Sequence, residues 1–234
     1  MPLSAADILQ KLENQTVLIV GDVMLDRYLT GSVQRISPEA PVPIVLHSAT
    51  EDRLGGAANV ALNLQALGAV PLLCSVIGRD ADGAALQSLL PKSGISDAGL
   101  VFSNLRCTTV KTRVLGNNQQ MLRIDSEHTH DLSAEEEGLF LEKIRSLLDA
   151  HDVRAVILQD YNKGVLTPTV IAAVIAEAQQ RHIPTTVDPK KANFFAYQGV
   201  TLFKPNLKEM RDSAPFRIQA EPESLRQAVD FLRS

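Results

Sequence analysis

The sequence predicts an α/β fold with a mostly parallel sheet flanked by helices and a small β lid. Five short apolar runs, each closed by Gly, Asp or Asn, have the composition of strands buried on both faces. Helical patterns lie between these runs, and such alternation is typical of doubly wound parallel sheets. Two further regions are extended and have no helical period, which indicates the lid. The five runs are residues 16–21, 70–78, 153–160, 184–188 and 200–206.

The segments between the apolar runs carry helix-start signals. Ser133 and Glu136 are spaced as in a capping box, in which each side chain bonds the other residue's backbone N–H. Thr167 is a favoured N-cap residue, and Pro168 follows at the first helical position, where its missing N–H costs no hydrogen bond. These signals predict helices on the connections between strands.

The two extended regions are predicted to lie outside the main sheet. Residues from about 27 to 53 are rich in Pro, Gly and β-branched residues, and residues from about 108 to 126 contain two strand patterns around Gly116-Asn117-Asn118. We expect both regions to form one small β-sheet that covers a site as a lid. Because no repeat or linker divides the sequence, residues 1–234 are predicted to belong to one domain.

The composition describes a globular protein and disfavours two classes of partner. Of 234 residues, 45% are hydrophobic, which is enough for a substantial core. There are 23 basic and 27 acidic residues and no basic run, so neither nucleic acid nor an anionic membrane is an expected partner. The sequence shows no signal peptide or membrane-length apolar span, so we expect a cytoplasmic protein. Cys74 and Cys107 lack ligand or CxxC spacing and are predicted to be buried, reduced thiols.

Polar residues follow the predicted strands, and ligands of doubly wound sheets bind at the carboxyl ends of the strands. The first, third, fourth and fifth runs lead into GDVMLD, DYNKG, DPKK and KPNLKE. Asp160, Lys163 and Lys190 therefore lie on one side of the sheet and are candidates for contact with sugar or phosphate. The alternative is that each is a solvated loop residue. His128 and His130 lack a third ligand, so no direct metal ligand is predicted.

Gly55 and Gly56 stand directly before an apolar helical pattern. Glycine lets the backbone approach a ligand closely, and the N–H groups of a helix start bind hydroxyls or anions. Asn59 adds a donor and an acceptor that suit a sugar hydroxyl. The alternative is an ordinary strand-to-helix turn. Because the spacing differs from GxGxxG, a dinucleotide site is disfavoured.

Three cations of the second extended region are candidates for a phosphate site. Lys111 and Arg113 alternate onto one strand face, and Arg123 lies on the returning strand. Arginine makes bidentate bonds to phosphate oxygens, so these side chains could hold the distal phosphate of a substrate. The alternative is a plain solvated face of the lid.

The motifs together resemble the ribokinase family of sugar kinases. Gly-Gly-Ala-Ala-Asn-Val-Ala from Gly55, followed by Gly68 and Gly78, is similar to the first signature of that family, and NLKE at residues 206–209 matches its NxxE motif. GDVMLD and DYNKG occur in the family's order. The amino-acid sequence of residues 21–45 and 108–125 resembles that of the heptose 7-phosphate kinases of the family, which make precursors of lipopolysaccharide core. The resemblance extends from about residue 16 to residue 212.

The resemblance implies a ribokinase-like fold, a sugar site and a nucleotide site. Asp26 would accept hydrogen bonds from sugar hydroxyls beside Gly55, Gly56 and Asn59; the alternative for Asp26 is a turn-capping carboxylate. Asn206 and Glu209 would organise Mg²⁺ and its waters near the phosphates of ATP, although the same pair is also a good helix-start signature. The residues assigned to this nucleotide side are Lys190, Asn206, Leu207, Lys208 and Glu209.

The resemblance also implies the reaction. In the family, the catalytic base and the anion hole come from a late Gly-Ala-Gly-Asp motif, which residues 1–234 do not contain, so no catalytic residue is assigned and the kinase domain is expected to be C-terminally truncated. One hypothesis is an ATP-dependent kinase for the anomeric hydroxyl of D-glycero-D-manno-heptose 7-phosphate. The alternatives are a catalytically inactive sugar-phosphate-binding fragment and a kinase for another small sugar. A homodimer is left open.

Overall fold

The main sheet is parallel and six-stranded, which confirms the predicted α/β class. The computed structural model describes residues 4–233. The strands are β1 (Thr16–Gly21), β2 (Val23–Ile36), β3 (Pro43–Gly56), β4 (Val70–Gly78), β5 (Gly99–Ser103), β6 (Val110–Gly116), β7 (Gln119–Ser126), β8 (Val153–Gln159), β9 (Thr185–Asp188) and β10 (Leu202–Phe203). The order in the main sheet is β10-β9-β8-β1-β4-β5.

Helices cover both faces of the main sheet. They are α1 (Ala5–Leu12), α2 (Ala57–Ala66), α3 (Ala81–Lys92), α4 (Ala134–Ala150), α5 (Pro168–Gln180), α6 (Leu207–Ser213) and α7 (Pro222–Arg233), with a 3₁₀ turn at Lys191–Asn193. Leu18 and Val20 of β1 belong to the core that includes residues of α4 and α5, whereas Ile19 belongs to the core that includes residues of α2 and α3. Both faces of the central strand are therefore buried, as its apolar run predicts.

The helix-start predictions are confirmed. The Ser133 and Glu136 side chains form a reciprocal capping box at α4, and the Thr167 hydroxyl accepts the Val170 N–H at the start of α5, with Pro168 in the first turn. Asn206 and Glu209 form a third capping box at α6. Each cap satisfies backbone donors that the first turn of a helix leaves without partners.

The second sheet contains the two extended regions in the order β3-β2-β6-β7. β2 pairs antiparallel with β3 and parallel with β6, while β6 and β7 form the predicted hairpin. Asn117 and Asn118 have φ angles of 52° and 63°, which match the left-handed backbone of a tight hairpin turn. The small sheet is thus confirmed, although β2 begins at Val23, close to the end of β1. We call this sheet the lid sheet.

Some predicted details were wrong. The sequence predicted no strand at Gly99–Ser103, but β5 forms there because β4 offers a free edge for parallel pairing. The run 200–206 is a strand only over Leu202–Phe203, since Pro205 has no N–H to donate and Asn206 caps the next helix. Cys74 is buried, but Cys107 is only half-buried; both are free thiols.

Candidate functional site

The predicted site residues lie after the carboxyl ends of neighbouring strands. Asp22 directly follows β1, Asp160 follows β8, Lys190 follows β9, and Asn206 follows β10. Because adjacent strands lie about 5 Å apart, the residues after β1, β8 and β9 share one edge of the sheet. The lid sheet begins at the same edge, where Asp22 joins β1 to β2.

The two glycines make close backbone contacts that exclude side chains. A Cβ atom on Gly55 would lie 2.5 Å from Oδ2 of Asp26 and 2.8 Å from Cγ of Met24. Gly56 has a φ of 61°, and a Cβ atom there would lie 2.4 Å from the carbonyl oxygen of Asp22. Both glycines are thus required by packing against β2 and its approach, in addition to any role toward a ligand.

The helix behind the glycines starts without a side-chain cap. The N–H of Ala57 donates to the carbonyl oxygen of Asp22 at 2.9 Å. Within residues 4–233, no side chain bonds the other N–H groups at the start of α2, and Asn59 is exposed on its first turn. This helix start therefore has free donors that suit hydroxyls or anions.

Asp26 lies within β2, so the interpretation as a turn-capping carboxylate is wrong. Its Oδ1 accepts a hydrogen bond from Nη1 of Arg113 at 2.6 Å, and about a quarter of each side chain is exposed. The guanidinium groups of Arg113 and Arg53 also contact the Tyr28 ring, at 5.3 and 4.6 Å from its centroid. Asp26 is therefore an oriented, partly accessible hydrogen-bond acceptor.

The predicted phosphate-binding cations share a face of the lid sheet, but each is paired with a carboxylate. Lys111 lies opposite Asp125, and Arg113 lies opposite Arg123, so these four side chains project from one face. Nζ of Lys111 is 3.0 Å from Asp125, and Nε of Arg123 is 2.8 Å from the same carboxylate. Arg123 is half-exposed, whereas Lys111 is mostly covered.

The loop after β8 is held by buried groups of opposite charge. The Asp22 carboxylate accepts the backbone N–H groups of Tyr161, Lys163 and Val165 at 2.7, 3.2 and 3.2 Å. Arg106 donates to the carbonyl oxygen of Lys163 at 3.1 Å. The loop containing Lys163 therefore has its N–H groups and a carbonyl fixed from both sides.

Two carboxylates beneath this loop have perturbed pKa values. Burial, together with the charge of Asp160, raises the pKa of Asp22 to about 6 despite its three N–H donors. Burial also raises the pKa of Asp160 above its usual range, although Asn162 N–H and the Tyr197 hydroxyl each donate to it at 2.7 Å. Asp160 is thus a buried carboxylate that stabilises the loop by accepting these two hydrogen bonds. The interpretation of it as a solvated loop residue is wrong.

A second charged cluster lies after β9 and β10. Lys190 contacts Asp188 at 3.1 Å and Glu209 at 2.5 Å, and Lys204 contacts Asp188 at 2.9 Å. Burial lowers the pKa of Lys190, but its bonds to Glu209 and Asp188 outweigh that effect and raise the pKa above its usual value. Lys190 therefore stays charged at neutral pH.

The NxxE residues differ in what they face. Glu209 is buried and bonded to the Asn206 N–H and to Lys190, while Asn206 is exposed and caps α6. Leu207 packs against the cluster of Phe194 and Met210, so its side chain serves the core. Lys208 is exposed, and its side chain makes no hydrogen bond or ion pair among residues 4–233.

The donor set fits an ion that is held mainly through water. In the described part of the chain, no group of three His, Cys, Asp or Glu residues could hold a metal ion directly. Asp188 and Glu209 nevertheless converge on Lys190, and Mg²⁺ needs few protein oxygens because it keeps several waters. Glu209 and Asp188 would hold such an ion, rather than Glu209 and Asn206 as the sequence predicts, because Oδ1 of Asn206 already accepts the Glu209 N–H.

Residues 14–233 match the family model described as pfkB family carbohydrate kinase. The chain belongs to the pfkB family of carbohydrate kinases. It is 44% identical over 213 residues to the bifunctional protein HldE of Azorhizobium caulinodans, covering 91% of this chain and 44% of that protein. The HldE of Methylobacillus flagellatus is 45% identical over 224 residues, covering 92% and 46%. The chain thus spans less than half the length of these curated relatives.

Solved structures of pfkB-type kinases share the fold. Phosphofructokinase-2 from Escherichia coli superposes with a TM-score of 0.69 at 19% identity, covering 94% of this chain and 69% of that one. Ribokinase from Arabidopsis thaliana, solved with ribose and ATP, gives a TM-score of 0.64 at 16% identity, with coverages of 94% and 69%. These similarities confirm the ribokinase-like architecture.

Four residues of the candidate site were not singled out from the sequence. Asp22, Arg106, Glu127 and Tyr161 hold or line the loop after β8, with partners distant in the chain. Lys190 lies 6.0 Å from the centre of the Tyr161 ring, so this ring stands beside the cluster after β9. For Asp22, a signal was available, since a carboxylate directly after a buried strand lies at the ligand-binding edge.

Proposed function

We propose that this pfkB-family chain provides the sugar site of an ATP-dependent kinase for D-glycero-D-manno-heptose 7-phosphate. The transfer moves the γ-phosphoryl group of ATP to the anomeric oxygen and gives the 1,7-bisphosphate and ADP. The observation that carries the proposal is the packing of Asp26 against Gly55 on the lid-sheet face that also holds Lys111 and Arg113. A hydroxyl-binding carboxylate and phosphate-binding cations are thus joined in one surface.

The similarity to bifunctional HldE proteins supports the choice of substrate. Asp26, Gly55, Gly56 and Asn59 would contact the sugar, because they combine a charged acceptor with free N–H donors. The distal phosphate would lie against the cations of the loop and lid sheet. These are Lys111, Arg113, Arg123 and Lys163.

The cofactors of the proposed reaction are ATP and Mg²⁺. Lys190 would contact nucleotide phosphate, while Asp188 and Glu209 would hold waters of the ion. When bound, Mg²⁺ neutralises charge on the transferring phosphoryl group. No helix within residues 4–233 is long and apolar enough to cross a membrane. The proposed site of action is the cytoplasm, where ATP is available.

Binding and turnover test this proposal separately. We expect calorimetry on residues 1–234 to detect the binding of heptose 7-phosphate. Asp26→Asn should lower the affinity at least about tenfold, because the charged hydrogen-bond acceptor is lost. Ser96→Ala, on the loop after α3, is the control and should bind normally. An Asp26→Asn variant with unchanged affinity contradicts the sugar role.

An ADP-release assay with heptose 7-phosphate, fructose 6-phosphate and ribose then separates the remaining hypotheses. Turnover of about 1–100 s⁻¹ with heptose 7-phosphate, and with neither of the other two sugars, supports the proposed kinase and shows that residues 1–234 supply a base without the late motif. Binding without turnover supports the sugar-phosphate-binding alternative, and preference for another sugar changes the substrate while keeping the reaction.

We also propose that two copies of the chain associate through the lid sheet. Leu122 and Ile124 are about half-exposed on β7, which is an edge strand of that sheet. Apolar edge strands tend to pair with other strands. Sedimentation should give the mass of a dimer, and Ile124→Lys should shift it to a monomer; a monomeric parent chain contradicts this proposal.

A further inference from the structure

Glu127 occupies a position between two cations from different parts of the molecule. Its carboxylate is 2.7 Å from Nζ of Lys163, in the loop after β8, and 3.4 Å from Nζ of Lys111, on strand β6. The side chains of Lys111 and Lys163 are only 16% and 14% exposed, while that of Glu127 is 24% exposed. A single carboxylate therefore joins the lid sheet to the main sheet.

The two ammonium groups are preorganised. The N–H of Lys163 donates to Asp22 and its carbonyl oxygen accepts from Arg106, so the backbone at this residue cannot shift freely. Lys111 is fixed within β6 between β2 and β7. Paired ammonium groups held this way form a site for an anion with several oxygens, since charge-assisted hydrogen bonds are short and strong.

The charge balance shows that Glu127 would compete with such an anion. Two further cations, Arg113 and Arg123, and three carboxylates, Asp26, Asp125 and Glu127, lie around the lysine pair. Asp26 is tied to Arg113, whereas Asp125 bonds Arg123 and also lies 3.0 Å from Nζ of Lys111. Glu127 bonds only to the two lysines among the described residues, and a phosphate dianion would have to displace it to contact both.

We infer that Glu127 is a specificity-determining residue that holds the place of a phosphate monoester between Lys111 and Lys163 until the substrate displaces it. The inference rests on the proposed function, since it assigns the distal phosphate of that substrate to this lysine pair. Burial raises the pKa of Glu127, but the Lys163 and Lys111 ammonium groups outweigh burial and hold the pKa below its usual range. Glu127 is thus ionised at neutral pH and excludes weakly charged ligands.

The direction of one substitution tests this role. Glu127→Gln keeps the size of the side chain and removes its charge, so inorganic phosphate should bind about fivefold or more tightly than to the parent chain. If Glu127 only connects the lid sheet to the main sheet, removing its charge should make the two lysines less well ordered and weaken phosphate binding. Unchanged or weaker binding of phosphate by Glu127→Gln overturns the inference, as does phosphate binding by neither protein.

Two further variants locate the effect. Glu51→Gln removes a carboxylate from the same lid sheet, where Glu51 pairs with Arg53 instead of the lysines, and should leave phosphate affinity unchanged. Adding Lys163→Met to Glu127→Gln should abolish the gain, and a gain that persists overturns the assignment to this lysine pair. Thermal unfolding of each variant verifies that it folds.

The same titrations separate this inference from the proposed function. Tighter binding of inorganic phosphate by Glu127→Gln, with no binding of heptose 7-phosphate by either protein, supports the phosphate site and contradicts the proposed substrate. Binding of heptose 7-phosphate that Glu127→Gln leaves unchanged supports the substrate and overturns the role of Glu127.

Discussion

Gly55 has no room for a side chain on the face that it shares with Asp26. A methyl group there would overlap Oδ2 of Asp26 and Cγ of Met24, and Met24 is buried and cannot move outward. The Asp26 side chain would have to turn away, which would break its bond to Arg113. The position of the Asp26 carboxylate, which we propose binds the sugar, therefore depends on the absence of a side chain at Gly55.

We predict that Gly55→Ala weakens heptose 7-phosphate binding at least about tenfold and lowers the free energy of unfolding by about 1–3 kcal/mol, the usual cost of overpacking. Calorimetry and urea unfolding measure the two effects. Gly138→Ala is the matched control, because a Cβ atom there meets nothing within 4 Å inside α4. It should stabilise the protein by up to about 1 kcal/mol and leave binding unchanged. Equal behaviour of the two variants contradicts the packing argument.

We predict a pH-dependent stability difference between the parent chain and Asp22→Asn. The pKa of Asp22 is about 6 in the folded protein against a reference value of 3.8, so folding favours its protonated form. The contribution of Asp22 to stability is present at low pH and is lost as pH rises from about 4 through 6. Urea unfolding should show the parent losing stability relative to Asp22→Asn by up to about 3 kcal/mol over this range. A difference that does not vary with pH excludes this titration.

Sequence patterns singled out residues of the candidate site, but they did not predict the partners of these residues. Asp26, Lys111 and Arg113 follow from motifs and strand alternation, but Glu127 carries no local signal. Its importance comes from Lys163, which lies 36 residues away along the chain. Asp22 and Tyr161 are 139 residues apart, and only the folded sheet brings them together. The hydrogen bonds that hold the loop after β8 therefore depend on the tertiary structure and cannot be predicted from local sequence.

At the scale of elements, local signals were sufficient wherever side chains bond their own backbone. The caps at Ser133, Thr167 and Asn206 are confirmed because each acts within three residues. The extent of β5 and β10 was not predictable, since these edge strands are defined by a neighbour in the sheet. Strand limits therefore depend on pairing more than on composition.

We predict that Asn206→Ala destabilises the chain by about 1 kcal/mol, because the first turn of α6 loses its side-chain acceptor. Lys208→Ala, two positions further on an exposed face, is the control and should change stability by less than about 0.5 kcal/mol. Urea unfolding measures both. Similar losses from the two substitutions would show that the capping bond contributes nothing.

At the scale of the whole molecule, the lid sheet is attached at its base by apolar and ionic contacts. Leu25 and Leu54 are buried in the core with α2 and α3. Arg27 bonds Asp52 of the lid sheet at 2.7 Å and Asp82 of α3 at 2.9 Å. This guanidinium therefore links the lid sheet to a helix of the main domain.

We predict that Arg27→Gln speeds amide hydrogen exchange in β2 and β3 several-fold while β1, β4 and β8 remain protected, because local openings follow the loss of local contacts. Exchange followed by mass spectrometry measures the effect. Arg145→Gln removes an exposed ion pair between α4 and α5 and should leave exchange in the lid sheet unchanged. Uniform acceleration across both sheets would mean that Arg27 supports the fold as a whole.

The central place of β1 in the main sheet also affects how the chain is made. β1 precedes the other strands of the main sheet in the sequence, and Val17 pairs with Pro71 on one edge but with Ala155 on the other. Closing so long a loop is slow, and the second edge stays open until more than half of the chain has followed. An open apolar strand on the ribosome is a template for aggregation. Expression at reduced temperature, which slows translation, should therefore raise the soluble yield of this protein. Co-expression of chaperones should have the same effect.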